Sequence, residues 1–412
     1  MAIGTLVLFL LGNRQAIREI AADRRAIWPG MLFVLSAGLA REYDGADLLK
    51  EPWHLLIPFA ASIGSSFLLF LLVCGRFVFE DTPNKPSFFA AYRAFLTLFW
   101  MTAPLAWLYA IPYERFLPEV NAVSANLWTL ALVAAWRVFI MVRVISTLTD
   151  IKQAKAFIYI IGYSEILILV AIYMMPKPLI EVMGGIRHTA SERVLFSAMF
   201  MVGLFSLVTG AIFFWIGCLY FWTMKNPLWI ADAPNVPGPS TQKSVWFLAI
   251  ASVLIWIPFL PGPQAEQRLK SQVEGLMAEG RITESIDLMS AHARKDFPPL
   301  WMPPPQIITR KTQPSYLDIM ETLYARNDAT WVQEAYEDGF FRYLGDTYAL
   351  IQDETLNSNL ERVFNLIEVS SHRDEMLKRF DSDLRNISGD KSHPLRIRER
   401  AKELLSMIEQ EE

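Results

Sequence analysis

The chain has 412 residues, of which 53% are hydrophobic and 19% are charged, and its formal net charge at pH 7 is −4. This composition is too apolar for an average water-soluble protein. The long apolar runs all lie before Pro261, whereas residues 262–412 contain 19 Lys and Arg against 27 Asp and Glu. The acidic balance of this second part argues against nucleic-acid binding.

Residues 1–25 begin with an apolar stretch that is too short to cross a membrane. Four arginines then follow among apolar residues, a pattern typical of an amphipathic helix at a membrane surface: Arg14, Arg18, Arg24 and Arg25. We therefore predict an interfacial helix over residues 1–25. The alternative is a secretory signal, because small residues at Gly38 and Ala40 follow a basic and then an apolar stretch.

Residues 26–261 contain the segments that can cross a membrane. A spanning helix needs about 20 mostly apolar residues. The sequence predicts an all-α, polytopic membrane domain with about seven spanning helices, of which the first and the last are short. The segments cover residues 26–40, 53–75, 88–111, 126–148, 157–175, 195–224 and 244–260. Cys74 and Cys218 lie far apart within them, which favours packing roles and neither a disulfide nor a metal site.

The orientation of these helices follows from Lys and Arg in the loops, which are enriched on the cytoplasmic side. The segments on one side of the membrane contain 10 Lys and Arg, and those on the other side contain 6. These numbers are the same whether or not residues 26–40 cross the membrane, but the later loops change sides. Arg93 and Arg143 lie near helix ends that are cytoplasmic only in the seven-helix arrangement. This favours a multi-pass protein of the cell membrane with residues 262–412 outside the cytoplasm.

Three charged residues lie inside predicted spanning helices, where charge is costly and often functional. Arg137 and Arg143 belong to one helix and Glu165 to the next, and a short loop joins the two helices. From that loop, the depths are roughly 9 Å for Arg143, 12 Å for Glu165 and 18 Å for Arg137. We predict an intramembrane charge cluster that is either a structural ion pair or part of a proton or ion pathway.

Gly203, Gly210 and Gly217 recur at intervals of seven residues in the segment 195–224. Two helical turns cover about seven residues, so the three glycines share one stripe on which another backbone can approach closely. We predict that this stripe packs against a neighbouring helix of the same chain. The alternative is that the stripe packs against a second copy of the chain. The oligomeric state is therefore not fixed by the sequence.

After Pro261 the pattern changes to short amphipathic helices, which predict a soluble, acidic, helical domain at residues 262–412. The helix lengths resemble those of tetratricopeptide-type or HEAT-type solenoids, although the repeat consensus is absent. The domain is therefore either solenoid-like or a compact irregular bundle.

A proline-rich strap at residues 297–305 interrupts these helices. Extended proline-rich segments dock on aromatic grooves, so the strap is a candidate partner-binding element through Trp301, Pro303, Pro304 and Pro305. The alternative is a rigid connection in which Trp301 packs onto the helices.

The chain lacks the sequence motifs of hydrolases, zinc proteases and phosphate-binding loops, and this predicts neither an enzyme nor a bound cofactor. We interpret the chain as an integral membrane scaffold or interaction protein. It would lie in the lipid bilayer and bind a protein partner through residues 262–412 at the membrane surface. The alternative is a transporter or channel-like component that uses the Arg137, Arg143 and Glu165 cluster.

Overall fold

A computed structural model describes residues 1–79, 87–149, 151–174, 190–223, 240–304, 315–326, 330–344, 356–370 and 372–409. Over these residues the fold is all-helical, with 16 α-helices and no strand, as predicted. The chain divides into two compact units. The N-terminal unit comprises Met1–Pro176 and Ala190–Gln264, and the C-terminal unit contains Ala265–Glu412.

The helices of the N-terminal part are α1 (Ile3–Leu10), α2 (Arg14–Ala22), α3 (Ile27–Glu42), α4 (Ile57–Phe79), α5 (Phe88–Trp100), α6 (Glu119–Leu148), α7 (Gln153–Met174), α8 (Ala190–Thr223) and α9 (Lys243–Leu254). Short 3₁₀ helices cover Pro52–Leu56, Ala103–Ala110 and Tyr113–Arg115. Five stretches are long and apolar enough to cross a membrane: Pro52–Cys74, Phe88–Arg115, Glu119–Leu148, Gln153–Ala171 and Arg193–Leu219.

The remaining two predicted spans form the shorter helices α3 and α9, of 16 and 12 residues. The sequence predicted a single run over 244–260, but the helix ends at Leu254. Pro258 explains this end, since proline has no N–H to donate to the carbonyl four residues earlier. Pro104 has a similar effect in the third predicted span, where α5 ends at Trp100 and a 3₁₀ helix follows.

The first 25 residues fold as two helices and not as the single interfacial helix that was predicted. Gly12 separates them with φ = 76°, a left-handed conformation that favours glycine. Asn13 then caps α2 by accepting hydrogen bonds from the N–H groups of Gln15 and Ala16. One face of α2 is buried, including Ile17 and Ile20, and α2 contacts α5 and α6. This segment therefore belongs to the helix bundle.

Helices α3 and α9 run in the same direction through the N-terminal unit. At their beginnings, Thr241 Oγ1 donates to Asp23 Oδ2 over 2.7 Å. At their ends, the rings of Tyr43 and Trp256 are 5.5 Å apart. Helix α4 runs in the opposite direction, because its Pro58 lies against Gly38 near the end of α3.

Ser36 on α3 joins three elements in the middle of this unit. Its side chain is fully buried, and its hydroxyl donates to the carbonyl oxygen of Ser252 over 2.6 Å. The same oxygen accepts hydrogen bonds from the indole N–H groups of Trp107, at 3.0 Å, and Trp256, at 3.1 Å. These bonds hold α3 between α9 and the 3₁₀ helix Ala103–Ala110.

The helices that follow are α10 (Pro261–Ala278), α11 (Ile282–Ser290), α12 (Tyr316–Arg326), α13 (Thr330–Leu344), α14 (Leu356–Val369), α15 (Arg373–Gly389) and α16 (Leu395–Glu409). Their apolar residues form one core within the C-terminal unit, which includes Ile286, Phe340, Phe364 and Phe380. Besides contacts between neighbours in sequence, α11 contacts α13, α12 contacts α14, α13 contacts α15, and α14 contacts α16.

Candidate functional site

The predicted cluster of Arg137, Arg143 and Glu165 is not formed. Arg143 Nε donates to the carbonyl oxygen of Gly12 over 2.9 Å, and the Arg137 guanidinium lies 5.2 Å from the centre of the Phe99 ring. The depth of a residue along the helix axis does not give the direction in which its side chain points around that axis. Six residues separate the two arginines, which places them about 120° apart around the axis of α6. They therefore point to different neighbours, and neither reaches Glu165.

Glu165 faces α8 instead. Its side chain is only 5% exposed, and Thr209 Oγ1 lies 3.1 Å from its Oε1 and 2.8 Å from the carbonyl oxygen of Phe205, so these two acceptors share one hydroxyl hydrogen. Among the residues that the structure describes, Glu165 Oε2 is buried and has no hydrogen-bond partner. A buried carboxyl oxygen without a hydrogen-bond partner costs free energy, so this atom is an unsatisfied polar group in the seam between α7 and α8.

Glycines allow the two helix backbones of this seam to approach closely. A Cβ atom on Gly210 would lie 3.1 Å from Glu165 Cβ, and one on Gly162 would lie 3.4 Å from the carbonyl group of Phe213. The contact at Gly210 is tighter than most Cβ contacts, whereas the contact at Gly162 is at the limit of an ordinary van der Waals distance. The seam is therefore built from one glycine on each helix, and the acid lies where Gly210 makes space for it.

The predicted glycine stripe is thus only partly a packing surface. Gly210 touches α7, but a Cβ on Gly217 would have no atom within 4 Å. The prediction of close packing is wrong at Gly217. Gly203 lies on the same helix α8, and its packing role stays a prediction.

Gly217 borders a cavity of about 190 Å³ between α4, α7 and α8. Its walls include Leu72 of α4, Gly162 and Ile166 of α7, and Phe213, Gly217 and Cys218 of α8. Ile166 follows Glu165 directly, and Phe213 lies three residues after Gly210, the glycine in contact with Glu165. Glu165 itself is not among the residues that line this cavity.

A second acidic feature lies in the loop after α3. Burial, followed by the nearby Glu114 charge and a hydrogen bond with Glu114, raises the pKa of the Asp44 carboxyl from its ordinary value of 3.8 to about 6. Tyr43, next to Asp44, donates its hydroxyl to the carbonyl oxygen of Ala110 over 3.0 Å. The two carboxyls therefore meet where the loop packs against the segment that follows α5.

Gln264 holds the same loop from the other side. Its Nε2 donates to the carbonyl oxygens of Tyr43, at 2.9 Å, and Ala46, at 2.8 Å. Its Oε1 accepts a hydrogen bond from the N–H group of Leu48 over 2.8 Å. One side chain at the start of α10 therefore fixes three backbone groups of the loop.

The proline-rich strap of the C-terminal unit is packed against its helices, as in the alternative interpretation. Trp301 is only 5% exposed, stacks on Phe297 with ring centres 4.8 Å apart, and donates its indole N–H to Glu274 Oε1. Pro303 is buried, and the carbonyl oxygen of Pro304 accepts a hydrogen bond from Tyr336. Pro305 lies outside the described residues. Trp301 and Pro303 are therefore not exposed for a partner, which corrects the first interpretation.

Sequence reasoning missed a polar group within the C-terminal core. Glu337 on α13 is 3% exposed and accepts hydrogen bonds from the Tyr324 hydroxyl, at 2.8 Å, and Gln333 Nε2, at 3.0 Å. Its other oxygen lies 2.8 Å from His372 Nδ1. The only signal in the sequence is an acid at a position where the helix needs an apolar residue.

No group of three or more His, Cys, Asp or Glu side chains that could hold a metal ion is present in the part of the chain that the structure describes. No protein-family model, curated protein or solved structure matches the chain. Functional inference therefore depends on the geometry of the chain itself.

Proposed function

We propose that the chain is a multi-pass membrane protein whose C-terminal helical unit binds a protein partner at the membrane surface. The observation that supports this proposal is the contact pattern of the described helices α11 to α16, in which α11, α12, α13 and α14 each pack against the next described helix but one. Stacked helix pairs with this pattern are typical of solenoids, which use an extended face to bind other proteins. The transport alternative depended on the charge cluster, whose members do not meet, and we do not propose it.

Ion pairs link successive helices on one face of this array. On the face made by α12, α14 and α16, arginines pair with carboxylates of the preceding helix of that face. The pairs are Arg362 with Asp318 and Glu321, Arg396 with Glu361, and Arg400 with Glu368. These side chains are engaged within the unit. We assign partner binding to the face made by α11, α13 and α15, whose exposed side chains include Glu334 and Lys378.

The acidic balance of the C-terminal region favours a basic segment of the partner. Residues 262–412 contain 19 Lys and Arg against 27 Asp and Glu. Opposite charges steer association and select among partners. The bound segment should therefore contain several Lys or Arg residues.

Crosslinking from defined positions tests this assignment. The photoreactive residue p-benzoylphenylalanine is placed at Glu334 on α13 or Lys378 on α15, both exposed. Asn365 on α14 and Lys402 on α16 are matched exposed positions on the opposite face. Irradiation of intact membranes should give the same protein adduct from the first two positions and little from the second two. Equal adducts from all four positions, or none from Glu334 and Lys378, would exclude the proposed face.

We further propose that α3 and α9 cross the membrane together with the five longer stretches, so that seven segments cross. Successive segments then alternate in direction, in agreement with the parallel course of α3 and α9. Among the described residues, more basic side chains lie near the end where α3 begins than at the other end. They are Arg14, Arg18, Arg24, Arg25, Lys152, Lys155 and Lys243, against Arg41, Lys50, Arg115 and Arg193. This asymmetry favours a cytoplasmic basic end and a C-terminal unit outside the cytoplasm.

Labelling with a membrane-impermeant maleimide tests this topology. Single cysteines are introduced at Leu49 and at Lys378, with Lys155 as the cytoplasmic control, after Cys74 and Cys218 are replaced by alanine. In intact cells, cysteines at positions 49 and 378 should react, and the one at 155 should react only after lysis. Reaction of the cysteine at 155 in intact cells would show that the topology is inverted. Reaction of only one of the cysteines at 49 and 378 in intact cells would exclude a seven-span arrangement.

A further inference from the structure

Helices α1 and α2 form a hairpin whose two exposed faces differ in chemistry. At and just after α1, the exposed residues Ile3, Val7 and Leu11 are spaced four apart and therefore share one face. Helix α2 exposes Arg14 and Arg18, which are also four residues apart. Helix α1 has 8 residues, too few to cross a membrane. The hairpin therefore presents an apolar stripe on one helix and a basic stripe on the helix in contact with it.

The rest of the N-terminal unit holds this hairpin in place. Trp136 Nε1 donates to the carbonyl oxygen of Leu10 over 2.8 Å, and Arg143 Nε donates to that of Gly12 over 2.9 Å. Both donors lie in the second half of α6, which ends at Leu148. The turn of the hairpin is therefore fixed in the half of the unit that contains the beginnings of α3 and α9.

This end of the N-terminal unit carries an excess of positive charge among the described residues. The seven basic side chains named above for this end are accompanied by two carboxylates, Glu19 and Asp23. Both carboxylates accept hydrogen bonds within the unit, Glu19 from Thr5 Oγ1 and Asp23 from Thr241 Oγ1. The opposite end has four basic side chains and six carboxylates, which are Glu42, Asp44, Asp47, Glu51, Glu114 and Glu119. An anionic partner therefore suits the hairpin end and not the opposite one.

We propose that the hairpin binds anionic phospholipids, with the apolar stripe of α1 against their acyl chains and with Arg14 and Arg18 at their phosphates. A water-soluble acidic segment would leave the apolar stripe exposed, whereas a lipid covers both stripes at once. A headgroup with a net negative charge is favoured over phosphatidylcholine, whose ammonium group offsets the phosphate charge. This proposal rests on the membrane arrangement proposed above for the N-terminal unit, and it does not depend on the partner of the C-terminal unit.

Site-specific fluorescence quenching tests the proposal in the full chain. Gln15, which is exposed next to Arg14, is replaced by cysteine and labelled with bimane after Cys74 and Cys218 are replaced by alanine. The labelled chain is reconstituted into nanodiscs that contain phosphatidylcholine and phosphatidylglycerol at one fixed ratio. The same mole fraction of a doxyl-labelled acyl chain is supplied on one lipid or on the other.

The phosphatidylglycerol quencher should be enriched at position 15 about fivefold over the phosphatidylcholine quencher, the size expected of one arginine at an anionic surface. Equal quenching by the two lipids in an inserted chain would overturn this proposal and leave the membrane arrangement standing. Failure of the wild-type chain to insert into nanodiscs would overturn both.

Matched arginine pairs then test the position. The double variant Arg14→Gln with Arg18→Gln should lose most of the preference for phosphatidylglycerol. The control, Arg41→Gln with Arg193→Gln, removes the same charge from exposed positions at the opposite end and should keep the preference. An unchanged preference in the first double variant, or an equal loss in both, would show that Arg14 and Arg18 do not form the binding surface.

Discussion

At the scale of single residues, the side chains that organise this protein are small polar groups in apolar surroundings. The Ser36 hydroxyl makes the full set of bonds available to it, one as donor and two as acceptor. The sequence shows only a serine within an apolar run, with no sign of which tryptophans reach it. Such a residue can be recognised as a packing hub only once the helices are assembled.

Ser36, Ser62 and Ser124 form a graded series for stability. Each hydroxyl donates to a backbone carbonyl, but Ser36 accepts two indole N–H groups, Ser62 accepts one from Trp100, and Ser124 shows none in the described contacts. Replacement by alanine leaves those N–H groups unpaired, at about 1 to 3 kcal/mol each when buried. We expect the loss of unfolding free energy to be largest for S36A, smaller for S62A and smallest for S124A. SDS titration in mixed micelles measures these losses. A loss for S36A no larger than for S124A would contradict the network.

Asp44 predicts a pH dependence of stability. Its pKa in the folded protein is raised to about 6, above the ordinary value of 3.8, so the folded state holds the proton more tightly than the unfolded state does. The stabilisation is complete below about pH 4 and is lost as the pH rises through about 6, with a size on the order of 1 to 2 kcal/mol after allowance for partial exposure. The difference in melting temperature between wild type and Asp44→Asn, measured in detergent from pH 4 to pH 7, should follow this window.

Glu114→Gln is the control for this effect. Removal of the neighbouring carboxylate should lower the pKa of Asp44 and move the window to lower pH, while the dependence itself remains. If wild type and Asp44→Asn show parallel pH profiles, the carboxyl pair does not contribute as described.

At the scale of helices, the sequence predicted where the spanning helices lie better than it predicted which neighbouring helices their side chains face. The five long spans were identified because 20 apolar residues can satisfy their backbone groups only as a helix. The ends of α5 and α9 were less accurate, since Pro104 and Pro258 end helices that the apolar pattern continues. The charge cluster failed for another reason. Spacing from a loop gives the depth of Arg137, Arg143 and Glu165, but the facing of α7 toward α8 depends on packing at Gly162 and Gly210, which hydropathy does not contain.

Gly210 and Gly217 should respond differently to the same substitution. A Cβ at Gly210 would lie 3.1 Å from Glu165 Cβ, whereas a Cβ at Gly217 would have no atom within 4 Å. We expect Gly210→Leu to separate α7 and α8 and to cost about 1 to 3 kcal/mol of unfolding free energy, as overpacking does. Gly217→Leu should change stability by much less. SDS titration of both variants checks this, and equal losses would show that the two glycines have one common role.

At the scale of the whole molecule, the two units differ in how much apolar surface they expose. In the N-terminal unit many large apolar side chains are exposed, among them Phe89 at 80%, Trp128 at 77% and Phe247 at 77%. Among the described residues of the C-terminal unit, the exposed large apolar side chains are Leu300, Val369 and Leu395. Isolated residues of this kind are normal on soluble proteins, whereas contiguous exposed apolar surface requires a lipid or protein partner.

This contrast predicts that the C-terminal unit folds alone. A fragment of residues 261–412 keeps α10 whole and contains the core that includes Ile286, Phe340, Phe364 and Phe380. It should be soluble without detergent, helical by circular dichroism and cooperative in thermal unfolding, because its apolar side chains are covered by one another. The overlapping fragment 1–278, which keeps Gln264 on the loop after α3, should remain monodisperse only in detergent. Precipitation of the first fragment, or detergent-free solubility of the second, would contradict the division of the chain between water and lipid.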